Sequence, residues 1–196
     1  SPLGIYFSPQ TRSYFADDFT PAYQGMMNLL LREHIEFEII TPRTLATAKS
    51  KILILPDVKC LNDMEFSQLQ AWVKDGKTLI FTGETGFYDG HRQFAKNKTR
   101  MQQLSENFKN AININGNPEK NFHAAAYQGK YPVFENSDLE ILLSHIRNSK
   151  TYAPAVEIEN ADVCVAQIAS VENKPTIFLA NFSGLKGYVN ANPFPD

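Results

Sequence analysis

Apolar and polar positions alternate in blocks along this chain, and the clearest block is Lys51–Gly86, KILILPDVKCLNDMEFSQLQAWVKDGKTLIFTGETG. Ile52–Leu55 is an unbroken apolar run, the pattern of a strand covered on both faces. Pro56-Asp57 ends it, since proline has no N–H for the ladder. Asn62 or Asp63 offers a helix N-cap, and Glu65 three residues after Asn62 resembles a capping box. Phe66, Leu69, Trp72 and Val73 then recur at helical spacing, and Gly76 fits a left-handed helix end. Thr78–Phe81 is a second apolar strand, so the block is a strand–helix–strand unit of a parallel sheet.

The same patterning extends to both sides. Leu3–Phe7 predicts a first strand, followed by a polar loop over 8–18. Thr20-Pro21 predicts a helix start that runs to about His34, with Tyr23, Met26, Met27, Leu30 and Leu31 as its buried stripe. Glu36–Ile40 is a strand, and 43–49 has room for one helical turn. Beyond Gly86, Lys98–Phe108 predicts a helix, Ala111–Ile114 a strand and Asn115–Pro118 a turn. Residues 119–136 show no clear pattern. Ser137 and Glu140 form a capping-box signal for a helix burying Leu139, Leu142, Leu143 and Ile146. After Tyr152 the pattern turns β-rich, at Ala155–Glu159, Val163–Ser170 and Thr176–Phe182, the last two as a hairpin or meander. The expected fold class is therefore α/β, a flavodoxin-like sandwich with a mainly parallel sheet, plus a short β-rich C-terminal extension. The expected domains are 1–150, α/β, and 151–196, the start of an all-β domain.

Composition changes this picture little. The 196 residues are 43% hydrophobic and 20% charged, with a net charge of −2. No basic face for nucleic acid stands out, and no apolar run approaches the roughly 20 residues that span a bilayer. No secretory leader is visible, and Asn192–Asp196 reads as a chain cut in mid-fold, so localisation is left open. Two cysteines, Cys60 and Cys164, make no disulfide framework.

The turn Thr82–Gly86 stands at the carboxyl end of a strand, where open α/β sheets place ligands. An apolar strand, proline, helix and then GKTLIFTGETG resembles the class I glutamine amidotransferase-like fold. More narrowly it resembles the trimerisation domain of family 42 β-galactosidases and related glycosidases, over roughly residues 4–150. Amidotransferases of this fold carry a nucleophilic cysteine on the turn that holds Thr82, Gly83 and Glu84 here, with a His and a Glu near the end of the domain. Neither Cys60 nor Cys164 matches the nucleophile position, and no His-x-Glu pair occurs. The resemblance thus implies a non-catalytic module for oligomerisation or packing on an upstream glycosidase barrel that carries the catalytic carboxylates.

Polar residues that follow predicted strands form one candidate crevice, from loops 8–18 and 82–92: Arg12, Tyr14, Asp17, Asp18, Glu84, Tyr88, Asp89, His91 and Arg92. Rings beside carboxylates suit a carbohydrate, so a sugar-binding domain, or a hydrolase using Glu84, Asp89 or His91, is the alternative to a packing surface. No catalytic residue is assigned. His34, His91, His123 and His145 are scattered without metal-ligand spacing, although Asp17, Asp18 and Asp89 have the oxygen chemistry of a hard-cation site. A flavin or nucleotide would need a glycine-rich cradle that SPQTRSYFADD lacks, so no cofactor is expected. Trp72 reads as core.

Overall fold

The computed structural model describes residues 3–94, 98–127, 137–149, 152 and 164–181. Five parallel strands form its centre: β1 Leu3–Tyr6, β2 Phe37–Ile40, β3 Ile52–Leu55, β4 Thr78–Thr82 and β5 Ala111–Ile114. They lie in the order β2-β1-β3-β4-β5, the order of flavodoxin-like doubly wound sheets. Register is continuous across the centre, with Leu53 opposite Leu79 and Ile54 opposite Ile80. A short 3-10 turn at Leu45–Thr47 occupies the connection to β3.

The period-2 alternation of strand side chains divides the core into two layers. On one face Leu53, Leu55, Leu79 and Phe81 pack with Phe66, Leu69, Trp72 and Val73 of helix α3, Asp63–Lys74, and with Met101 and Leu104 of α4, Lys98–Asn107. On the other, Leu3, Ile5, Ile52, Ile54 and Ile80 pack with Met26, Leu29 and Leu30 of α2, Ala16–Arg32. Phe122 of α5, Pro118–Tyr127, and Leu139, Leu142, Leu143 and Ile146 of α6, Ser137–Arg147, complete that layer. Every one of these strand residues is almost fully buried, which is why the strands read as continuous apolar runs. Trp72 belongs to this core, and its indole Nε1 donates to the Thr78 carbonyl at 3.1 Å.

The capping box of α3 is present: Glu65 N donates to Asn62 Oδ1 at 2.8 Å and Asn62 N donates to Glu65 Oε2 at 2.9 Å. Glu65 is itself buried and accepts from the Tyr6 hydroxyl, so the box ties α3 to β1.

Two segments differ from the sequence-based expectation. The polar stretch 8–18 is helical: α1 covers Pro9–Tyr14 under a Ser8 cap, and α2 opens at Ala16 rather than at Thr20. Pro21 lies inside α2. Phe15 O accepts from Phe19 N at 2.8 Å, and Phe19 is fully buried, so packing starts the helix one turn before the proline. Asp17 and Asp18 fall in its first turn, where carboxylates are favoured by the positive end of the helix dipole. The second difference is α5, within a stretch without a clear pattern.

Gly25 explains how α5 docks. A β-carbon built there would stand 1.9 Å from the Glu119 carbonyl oxygen. Only glycine lets α2 and α5 approach this closely.

The C-terminal part is a hairpin of β6, Cys164–Val171, and β7, Lys174–Asn181, paired antiparallel. Ile168 N donates to Glu36 Oε1 at 3.1 Å, which connects the hairpin to the start of β2. The expected strand at 155–159 and the side chain of Ser137 lie outside the described residues. No described helix is long and apolar enough to cross a membrane.

Candidate functional site at the carboxyl edge of the sheet

At the end of β3 the chain turns sharply. Asp57 has a φ of 45°, a left-handed conformation that non-glycine residues adopt sparingly. Its carboxylate and the turn after β4 hold each other. Asp57 Oδ1 accepts from Glu84 N at 2.9 Å, and Asp57 N donates to Thr82 Oγ1 at 3.1 Å. Val58 N donates to Thr85 Oγ1 at 3.1 Å, and that hydroxyl donates to the Thr82 carbonyl at 2.7 Å. Gly83 sits between with φ 58°. A β-carbon on it would reach 2.1 Å from Asn117 Oδ1 and 2.4 Å from Asp57 Oδ1. The turn therefore needs glycine for its conformation and for its space.

Around this turn is a network of charges. Lys59 Nζ donates to Asp18 Oδ2 at 3.0 Å and to Glu84 Oε2 at 2.9 Å, and lies 4.0 Å from Asp57 Oδ2. Lys120 Nζ donates to the other Asp18 oxygen at 2.5 Å. Burial opposes the Lys59 charge, yet its hydrogen bonds to Glu84 and Asp18 outweigh that and hold the ammonium above the usual lysine range. The hydrogen bonds from Lys120 and Lys59 hold Asp18 below the usual carboxylate range. Asp57 is moved the other way, raised by burial despite the Glu84 amide and Lys59.

Beneath the ions is a sealed carboxyl. Glu119, at the start of α5, is fully buried, and its Oε1 accepts from Thr82 Oγ1 at 2.6 Å. Burial raises its pKa to about 7. The second oxygens of Asp57 and Glu119, and Asn117 Oδ1, have no hydrogen-bond partner among the described residues. Asp57, Thr82 and Glu119 thus form a buried chain that ties the ends of β3 and β4 to the first turn of α5.

The predicted site residues are distributed as follows. Asp18 and Glu84 meet at Lys59. Tyr88 packs on Phe15, ring centroids 4.7 Å apart, and Arg92 stands over the same Phe15 ring at 5.2 Å. Asp89 accepts from the backbone N–H of Gln93 and of His91, which lowers its pKa and closes its own turn. Arg12, Asp17 and His91 are exposed. Tyr14 lines a separate cleft. Asp57, Lys59, Asn117, Glu119 and Lys120 were not singled out as site residues by the sequence, whereas Thr82 opens the strand-end turn that was. The available signal was positional: each follows, or ends, a strand at its carboxyl end.

Cys60 is fully buried, and burial pushes its thiol up to about 11, the opposite of an activated nucleophile. Among the described residues, no group of three His, Cys, Asp or Glu side chains is placed to hold a metal ion.

The separate cleft lies at the β1–β2 end of the same edge. It has a volume of about 610 Å3, with walls from Phe7, Pro9, Tyr14 and Pro42 and polar groups from Gln10, Ser13, Arg43 and Asn62. Thr44 Oγ1 accepts from Thr41 N at 2.9 Å, fixing the loop that carries Pro42 and Arg43.

No protein-family model matches the sequence, and no curated protein matches it. Solved structures do resemble the fold. A β-galactosidase from Bifidobacterium adolescentis is 17% identical with a TM-score of 0.46, over 53% of this chain and 53% of that one. A family GH42 exo-carrageenase from Bacteroides ovatus is 12% identical with a TM-score of 0.42, over 67% of this chain and 18% of that one. A β-galactosidase from Bacillus circulans sp. alkalophilus is 13% identical with a TM-score of 0.42, over 48% of this chain and 15% of that one. The chain spans about half the length of the first and less than a fifth of the other two. At these values the likenesses carry no argument about chemistry.

Proposed function

We propose that this chain is a non-catalytic packing and oligomerisation module of a larger glycoside hydrolase. The observation that supports this reading best is the internal use of charge at the β3–β5 end of the carboxyl edge. Asp18 and Glu84 share one ammonium, Asp57 is buried against the turn, and Glu119 is sealed beneath Thr82. Glycoside hydrolysis needs two carboxyl groups flanking a bound sugar, one of them free to protonate a leaving group. Here the charged ends of the two carboxylates contact the same lysine. The resemblance carried by Lys51–Gly86 points the same way.

A second observation adds to it. Ile177, Phe178 and Leu179 on β7 are 52%, 53% and 67% exposed. Consecutive strand residues face opposite sides, so the hairpin presents apolar side chains on both faces. A two-stranded ribbon of this kind gains stability from further packing.

Light scattering coupled to size exclusion over a concentration series tests the assembly role. The expected result is a self-associated species, a trimer being the form the sequence resemblance implies. A strict monomer at every concentration would remove self-assembly. Turnover of a nitrophenyl galactoside by the isolated chain, abolished by Glu84→Gln, would contradict the non-catalytic reading.

A further inference from the structure

We propose that the cleft at the β1–β2 end of the sheet binds a sugar acid, a pyranose ring carrying a carboxylate. The inference rests on position, on which polar groups lack partners, and on the chemistry of the wall.

The lining comes from segments that follow three strands: Phe7–Tyr14 after β1, Thr41–Arg43 after β2, and Asn62 beyond β3. Eight of the nine lining residues follow β1 or β2, adjacent strands in the sheet, and Asn62 closes the cleft from the α3 side. The carboxyl edge of the strands is the edge at which doubly wound sheets receive ligands. At about 610 Å3 the cleft has the size of a small-molecule site.

Partner accounting separates this cleft from the charge network beside it. Among the described residues, the side chains of Gln10, Ser13, Tyr14 and Arg43 make no hydrogen bond or ion pair. Asn62 uses its oxygen to cap α3, which fixes the side chain and leaves its amide N–H groups as donors. Arg43 is the only ionised side chain in the lining. The Thr41–Thr44 turn holds its backbone in place before any ligand arrives.

These groups define the ligand. Tyr14, 41% exposed, and the rings of Pro9 and Pro42 offer apolar surfaces that suit the C–H face of a pyranose. Amide and hydroxyl groups suit its ring hydroxyls. One unpaired guanidinium selects a single anionic substituent and grips a carboxylate through two parallel hydrogen bonds. A neutral sugar leaves that guanidinium without a partner, and a simple aryl acid leaves the amides and hydroxyls without theirs.

The proposal does not depend on the packing role, because solution mass and cleft occupancy are separate readouts. The test is a titration of the 15N-labelled chain with D-glucuronate, D-glucose and benzoate, following amide shifts. D-Glucuronate is expected to give saturable shifts confined to residues 7–14, 41–43 and 62, with D-glucose and benzoate at least tenfold weaker. Arg43 is exposed, so Arg43→Ala keeps the fold and is expected to weaken D-glucuronate at least tenfold, with Arg43→Lys intermediate. Absence of saturable shifts, shifts centred elsewhere, equal binding of D-glucose or benzoate, or an unaffected Arg43→Ala would each overturn the proposal.

Discussion

Two ends of one sheet edge carry similar residues and treat them differently. At the β3–β5 end, Asp18, Lys59, Glu84 and Lys120 are interlocked, and Asp57, Thr82 and Glu119 form a buried chain beneath them. At the β1–β2 end, Gln10, Ser13, Tyr14 and Arg43 line an open cleft and have no side-chain hydrogen bond or ion pair among the described residues. Both ends lie where doubly wound folds place ligands. The difference shows that a polar residue at a strand end is informative only once its partners are known. A lysine held by two carboxylates organises the fold, whereas an arginine held by none is free to recognise an anion.

The largest effect expected from disturbing the first region comes from its support. Gly25→Val places a side chain against the Glu119 carbonyl and must push α5, and Glu119 with it, away from Thr82. Overpacking of this kind costs about 3 kcal/mol, read as a lower urea midpoint.

Glu119 comes next, and its sign depends on pH. Its folded pKa, about 7, is raised above the unfolded value by burial. Its contribution to stability is therefore fully present below the unfolded pKa and is lost as pH rises through about 7. Glu119→Gln keeps the shape without the ionisation. Near pH 4 the two proteins should be similar. By pH 9 the variant should be more stable by roughly 3 kcal/mol, from the free-energy equivalent of the shift. Parallel unfolding curves at both pH values would show that Glu119 does not titrate in the sealed position.

The smallest effect belongs to the other end of the edge. Arg43→Ala removes no described partner and should change stability by less than about 0.5 kcal/mol. A larger loss would mean that Arg43 supports the fold, and would narrow the contrast between the two regions.

How much of this was legible depended on how local the determining interactions are. Ile52–Leu55, Thr78–Phe81 and the Asn62–Glu65 box are written in consecutive residues, and the structure contains each of them. Helix α1 was hidden because its residues are mainly polar and only Thr11 is buried. The start of α2 was misplaced because Thr20-Pro21 is a strong local signal that the burial of Phe19 overrides. Helix α5 gives little pattern, with Phe122 its fully buried aromatic anchor. Asp18 and Glu84 were identifiable as polar strand-end residues. Their partner Lys59 lay in plain view within the central block, but nothing local distinguishes it from a solvated lysine. Glu119 is 37 residues from Thr82, and a contact across that distance has no sequence signature. The cleft is likewise a product of topology, since Tyr14, Arg43 and Asn62 converge only when β1, β2 and β3 lie side by side.

The central contrast is tested most directly by denaturant unfolding of Lys59→Met against the unaltered chain at pH 7. Methionine keeps most of the length and apolar volume of the side chain while removing the ammonium. It leaves Asp57 buried without its nearest cation and separates Asp18 from Glu84. Removing one member of a buried pair costs about 3–5 kcal/mol, and the half-exposed Asp18 and Glu84 reduce that through solvent screening. A loss of about 2–3 kcal/mol with an unchanged denaturant slope is the predicted result. An unchanged midpoint would contradict the account, because the charges at this end would then not be holding the fold together.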